Sequence, residues 1–155
     1  MKYAILITPD DNIEIKEYEA YRTINELVDG WYETCGYFSV AGRMAILFCN
    51  EEFIYKDNMN FNAIGSTLSG QPIYGNVVLL ADGLNEDMER DALPLSKEEA
   101  EQIKESMEQF KVSFKSVLEV LHSRHDDVKP EFHAQVVTLS ADEFNEVLFG
   151  KEVQE

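Results

Sequence analysis

Along this chain the spacing of apolar residues changes period several times, and each change marks an element. Residues 3–8, YAILIT, are a continuous apolar run, the mark of a strand covered on both faces. Residues 12–19, NIEIKEYE, instead alternate Ile13 and Ile15 with Glu and Lys, as an edge strand does. Pro9, Asp10, Asp11 and Asn12 supply the turn between them. TINELVDG then offers Thr23 as a helix N-cap with Glu26 three residues on, and Gly30 as a left-handed stop. WYETCGYF and RMAILFC, joined by SVAG, read as a second hairpin, and residues 76–81, NVVLLA, as a further strand.

Before that strand stands FNAIGSTLSGQPIYG, with Gly65, Gly70, Pro72 and Gly75. A phosphate-cradling loop needs compact glycines followed by a helix, and often a Lys. These glycines are five apart and a strand follows, so they predict turns that deliver the chain into the sheet, with a small polar pocket as the alternative. Residues 84–94 are acidic and nearly featureless, which predicts a linker or mobile loop. Ser96 and Glu99 then form a capping box that opens a long helix over 96–121. Its apolar residues Ala100, Ile103, Met107, Phe110, Phe114, Val117 and Leu121 alternate spacings of three and four, and Leu118 widens the stripe. That stripe fits a helix laid across a sheet, and it also fits a seam between two copies of the chain in a homodimer. Beyond Pro130, residues 132–139 alternate like a strand, and Ser140 with Glu143 caps a last short helix.

The expected fold is therefore α+β in a single domain spanning 1–155. It has a mostly antiparallel sheet of two hairpins plus the 76–81 and 132–139 strands, covered by one long amphipathic helix and two short ones. A chain of 155 residues that is 45% hydrophobic can fill such a core without disulfides. Cys35 and Cys49 lie inside apolar segments, with no C-x-x-C partner, and read as reduced core thiols of a cytoplasmic protein. The first residues, MKYAILITPDD, are too short an apolar run for a signal peptide or a membrane helix.

Charge narrows the function further. Thirty acids against thirteen Lys and Arg give a net of −17. Nucleic-acid binding relies on Lys and Arg displacing counterions, so direct DNA or RNA contact is not expected, whereas the charge favours a basic partner or simply solubility. The acids concentrate between Asp82 and Glu108, where Asp82, Glu86, Asp87, Glu89, Asp91, Glu98, Glu101, Glu105 and Glu108 form a candidate interaction surface able to imitate the charge row of a duplex.

Catalytic chemistry finds little footing. His122, His125 and His133, with Asp126 and Asp127, have metal-ligating side chains, but HSRH lacks the intervening Glu of H-E-x-x-H and falls where a helix ends. IGSTLSG, with Ser66, matches the G-x-S-x-G elbow only loosely. No catalytic residue, metal site or cofactor is expected. A ligand-binding alternative uses Asn60, Asn62, Thr67, Tyr74 and Asn76, with Arg43 as an anion contact, to sequester a nucleotide-like molecule.

One resemblance joins four separated pieces of residues 1–83. Leu27, Val28, Asp29 and Gly30 followed by Trp31, Tyr32 and Glu33 form the first piece, and Cys49, Asn50, Glu51 and Glu52 the second. Asn62 through Gly65 form the third, and Ile73, Gly75, Val77 and Leu79 the fourth. Together these resemble the domain-of-unknown-function 3846 family, small proteins carried by bacteria, phages and mobile elements, although Phe53 stands where that family has a turning Gly. The resemblance implies a mobile-element setting and brings no activity or cofactor. The expectation is a non-enzymatic acidic protein that binds a basic, possibly DNA-binding, host protein.

Overall fold

A computed structural model describes residues 1–52 and 60–125. The expected 132–139 strand, the last short helix, and His125, Asp126, Asp127 and His133 lie outside the described side chains. The elements run β1 (Tyr3–Ile7), β2 (Ile13–Glu17), α1 (Tyr21–Val28), β3 (Tyr32–Val40), β4 (Arg43–Asn50) and α2 (Ala63–Ser69). They continue with β5 (Val77–Leu84), β6 (Arg90–Leu93), α3 (Lys97–Ser113) and α4 (Lys115–His125). The fold is α+β, built on an antiparallel six-stranded sheet ordered β2-β1-β5-β4-β3, with β6 also paired to β5.

Most of the sheet follows the apolar pattern. β2 is an edge paired to β1, and the β3–β4 hairpin turns on Ala41 and Gly42, both at positive φ (51° and 75°), as a tight two-residue hairpin loop requires. Residues 84–94 are a correction: they are no linker. β5 continues to Leu84 and returns as β6, with Ala81 opposite Leu93 and Leu84 opposite Arg90. Asn85 organises the turn, its side-chain oxygen accepting from the backbone N–H groups of Asp87 (2.9 Å) and Glu89 (3.0 Å).

Helices cover both faces unequally. On one face α2, α3 and α4 bury Ile5, Ile7, Leu47, Val77 and Leu79 together with Ile64, Ile103, Met107, Val117 and Leu121. On the other, Ala4, Leu6, Ile46, Phe48, Val78 and Leu80 pack with Tyr18, and the buried helical residues there, Ile24 and Val28, both belong to α1. Strand alternation produces the split, because Ile5 and Ile7 face one layer while Ala4 and Leu6 face the other.

Helix boundaries depart from expectation in three places. Thr23 is the third residue of α1 and not its N-cap; its Oγ1 accepts from the N–H groups of Glu19 (3.2 Å) and Ala20 (3.4 Å). The left-handed residue that ends α1 is Asp29 at φ 60°, one position before Gly30. The long helix opens on the expected Ser96–Glu99 capping box but changes direction at Phe114, between α3 and α4.

Candidate functional site

Two asparagines, buried and fully occupied, tie the helices to the sheet. Asn62 is 0% exposed. It caps α2 by accepting from Gly65 N–H (2.8 Å), and its amide donates to the carbonyls of Ile7 (3.0 Å) and Gly75 (2.8 Å). Gly65 has to be Gly here, since a Cβ would sit 2.7 Å from Val77 Cγ2. The second asparagine, Asn50, donates to the carbonyls of Val28 (3.2 Å) and Asp29 (2.9 Å) and accepts from Glu52 N–H (2.8 Å), fastening the end of α1 to β4.

The residues expected to line a nucleotide pocket therefore have other work. The glycine-rich stretch does not form only turns: it holds the helix α2, Ala63–Ser69, capped by Asn62 and Gly70. Thr67 donates to Ala63 C=O (2.7 Å), and Tyr74 is 3% exposed with its ring edge-on to Phe61. Asn76 donates to Leu27 C=O (2.9 Å), and the carbonyl of Asn60 accepts from Gly75 N–H (2.8 Å). Arg43, at the β3–β4 turn, is ion-paired with Glu99 of α3. Ser66 exchanges hydrogen bonds with the backbone of Ile73 through its Oγ and is a packing serine. Of the expected pocket residues only Asn62 and Tyr74 are buried, and the side chains of Asn62, Thr67, Asn76 and Arg43 make bonds within the chain.

The seam residues are corrected in the same way. Ile103, Met107, Val117 and Leu121 are at most 8% exposed within the chain's own core. Phe110 and Phe114, half-buried, pack against each other with ring centroids 4.6 Å apart and planes tilted by 55°. Most of this helical stripe is thus covered by the chain's own sheet, with Phe110 and Phe114 left partly exposed. His122 Nε2 meets both carboxylate oxygens of Asp11 at 3.1 Å, joining α4 to the β1–β2 turn.

The open feature lies on the opposite face, between the start of α1, β3 and β6. A bulge at Cys35 lets Thr34 pair with Phe48 and Tyr37 pair with Ile46, so both Thr34 and Tyr37 reach this face although they are an odd three positions apart. Cys35 itself turns into the other layer against Cys49, whose thiol is pushed up by its contact with Cys35 and by burial. With Tyr21 and Tyr32, these residues line a groove of about 320 Å³, floored by Ile46 and Phe48 and edged by Asp82, Arg90, Asp91 and Ala92. Tyr21 and Tyr37 are about half exposed, at 47% and 49%. Tyr21 stacks on Tyr32 at 6.3 Å, and Tyr32 meets Phe48 edge-on at 5.2 Å.

Two carboxylates are held in this groove by different partners. Asp82 takes a bidentate Arg90 (2.6 and 3.0 Å), whose guanidinium lies 4.9 Å from the Tyr37 ring centroid. The Arg90 contact holds the Asp82 carboxyl below its usual range. Asp91 accepts from Tyr21 O–H (2.9 Å) and Ala92 N–H (2.8 Å), and the Tyr21 bond raises that phenol's pKa. Of the nine acids expected to form one surface, Asp82 and Asp91 meet here. Glu86, Asp87 and Glu89 are exposed around the β5–β6 turn, and Glu98, Glu101, Glu105 and Glu108 lie along α3 on the other layer. The groove itself was missed. Its sequence signal was tyrosine at 32 and 37 in a strand with an apolar partner, readable only with the bulge known.

The model of the domain of unknown function DUF3846 matches residues 1–110. The chain belongs to that family. The match extends beyond the 1–83 resemblance to include β6 and most of α3. No curated protein matches the chain. A crystal structure of the small RNA methyltransferase HEN1 is similar at a TM-score of 0.49 and 19% identity, covering 66% of this chain and 16% of that one. In this DUF3846 chain the four motif segments meet at the two asparagines: Val28 and Asp29 at Asn50, and Gly65 and Gly75 at Asn62. The motif residues are thus the fastenings of the fold, and the tyrosine groove lies apart from most of them. Among the described residues no group of three His, Cys, Asp or Glu side chains is placed to hold a metal, and no helix is long and apolar enough to cross a membrane.

Proposed function

We propose that this DUF3846 chain is a non-enzymatic interaction protein that receives a basic segment of a partner protein on its open sheet face. The observation that carries the reading is the groove of Tyr21, Tyr32 and Tyr37, edged by Asp82 and Asp91, on a chain of net charge −17. Exposed tyrosines supply contact area at small conformational cost, and a surrounding negative field speeds and orients the approach of a basic partner. A cytoplasmic, phage- or mobile-element-encoded protein that occupies a basic, DNA-binding host protein fits this chemistry. The nucleotide-sequestering alternative is the weaker reading, because Asn62, Thr67 and Asn76 make side-chain hydrogen bonds to the chain's own backbone.

Fluorescence anisotropy of labelled lysine- and arginine-rich peptides, with an acidic peptide as control, tests the proposal. Basic peptides should bind and weaken as salt rises, because exposed charges are screened beyond about 10 Å at 0.1 M. Replacing Tyr32 and Tyr37 together by Leu and Ala should abolish the binding. Equal binding by that variant would place the contact elsewhere. Turnover of a nucleotide, peptide or ester by the purified protein would overturn the non-enzymatic part.

A further inference from the structure

The groove repeats one chemical arrangement twice, and only one copy holds a cation. In the first, the Asp82 carboxylate and the Tyr37 ring grip the guanidinium of Arg90, one by a bidentate pair and the other by its π face. In the second, Asp91 accepts from the hydroxyl of Tyr21, whose ring stacks on Tyr32, so that a carboxylate again lies at the end of an aromatic group. Among the described residues no cation pairs with Asp91. An ionised carboxylate offers about four lone-pair sites, so donations from Tyr21 O–H and Ala92 N–H leave room for more donors. The groove volume, about 320 Å³, falls at the small end of the roughly 300–1,000 Å³ range of ligand sites, a fit for one side chain in place of a larger molecule.

We propose that this second arrangement is an arginine-accepting site, in which a guanidinium from a basic partner stacks on Tyr32 and pairs with Asp91. The proposal rests on the reading of this face as the partner-binding surface and names the side chain it selects. Arginine is favoured over lysine because a planar, weakly hydrated guanidinium can stack and fork at once, whereas an ammonium is a compact, strongly hydrated point charge. The resident Arg90 shows both contacts being made by one guanidinium on this same face. The surrounding charge of −17 favours a partner that brings several arginines.

The probes are two peptides of equal length and charge, one with arginines and one with lysines, titrated into the whole protein by calorimetry at fixed salt. The arginine peptide should bind about fivefold or more tightly than the lysine peptide, the range of a desolvated cation–π contact plus a bidentate pair. Asp91→Asn, isosteric and on an edge hairpin, should remove that preference, while Glu105→Gln on α3 should retain it. Thermal unfolding of each variant confirms that it is folded. Equal binding of the two peptides, with both weakened by Tyr32→Leu, would overturn the arginine site and leave the groove reading intact. An arginine preference that survives Asp91→Asn would also overturn the site. Binding insensitive to both Asp91→Asn and Tyr32→Leu, or no binding of either peptide, would overturn the site and the groove reading together.

Discussion

The two faces of one sheet have been put to different uses, and the contrast separates what holds this molecule together from what it can offer a partner. Beneath α2, α3 and α4 the strands present Ile5, Ile7, Leu47, Val77 and Leu79, each fully buried. Beneath α1 the same strands present Ala4, Leu6, Ile46 and Phe48, and β3 adds Tyr32 and the half-exposed Tyr37. A helix of eight residues spans roughly 12 Å at 1.5 Å per residue, too little to roof the whole sheet. The first face is closed by the helices α2, α3 and α4; among the described residues the second is left partly open. On the closed side Asn62 gives all its bonds to the fold, while on the open side Asp91 keeps capacity to spare.

Breaking the closed face should therefore cost most. Asn62→Ala strands two carbonyls and one N–H in a site with no exposure, and each buried orphan costs about 1–3 kcal/mol. Urea denaturation should show a loss of about 4 kcal/mol or more, or failure to fold. A loss under about 1 kcal/mol would mean that Asn62 is not the fastening its contacts suggest. Ile103→Ala, on α3 against β1 and β2, should come next at about 2–4 kcal/mol from lost burial and the cavity left behind. Because Ile103 faces the chain's own sheet, sedimentation should show no dissociation step accompanying that loss. A dimer-to-monomer shift in Ile103→Ala would reinstate the helical stripe as an interface.

Tyr18 gives the open-face layer a pH signature. Burial, with smaller contributions from Tyr21, Tyr32 and Asp91, raises its phenol from 10.0 to about 12. A group whose folded pKa lies above its unfolded value stabilises the native state fully below the unfolded value and loses that contribution as pH rises through the folded one. Stability measured by urea should thus fall between pH 10 and about 12 by more in wild type than in Tyr18→Phe. Superimposable profiles would show that the phenol titrates normally in the native state.

Much of this division was legible in the sequence, but not evenly. Period-two alternation and continuous apolar runs located β1 through β5, because burial on one or both faces writes itself into residue type. The Ser96–Glu99 box placed the start of α3 for a local reason, since both of its bonds lie within four residues. α2 was obscured because Gly65 and Gly70 look like turn residues, yet Asn62 and Gly70 are its N-cap and left-handed terminator. β6 was obscured because Arg90 and Asp91 read as loop residues, and what makes them a strand is pairing with β5. The groove was least legible of all. It depends on a bulge at Cys35 and on where α1 starts relative to β3 and β6, both of which are tertiary facts.

The smallest effect on stability should come from the open face itself, and there the contrast becomes sharpest. Tyr37 is half exposed, and on its groove side it meets chiefly the Arg90 guanidinium. Tyr37→Ala removes that contact without opening a cavity in either core layer, so denaturation should move by no more than about 0.5 kcal/mol, as for a surface substitution. Its consequence should instead appear in recognition. Without the Tyr37 ring, Arg90 keeps only its carboxylate partner, and its guanidinium is less firmly held at one end of the groove. Basic-peptide binding should then weaken severalfold while the unfolding curve stays in place. If Tyr37→Ala were as destabilising as Ile103→Ala, the tyrosines would be core residues in disguise, and the face read here as open would be closed by contacts within the chain.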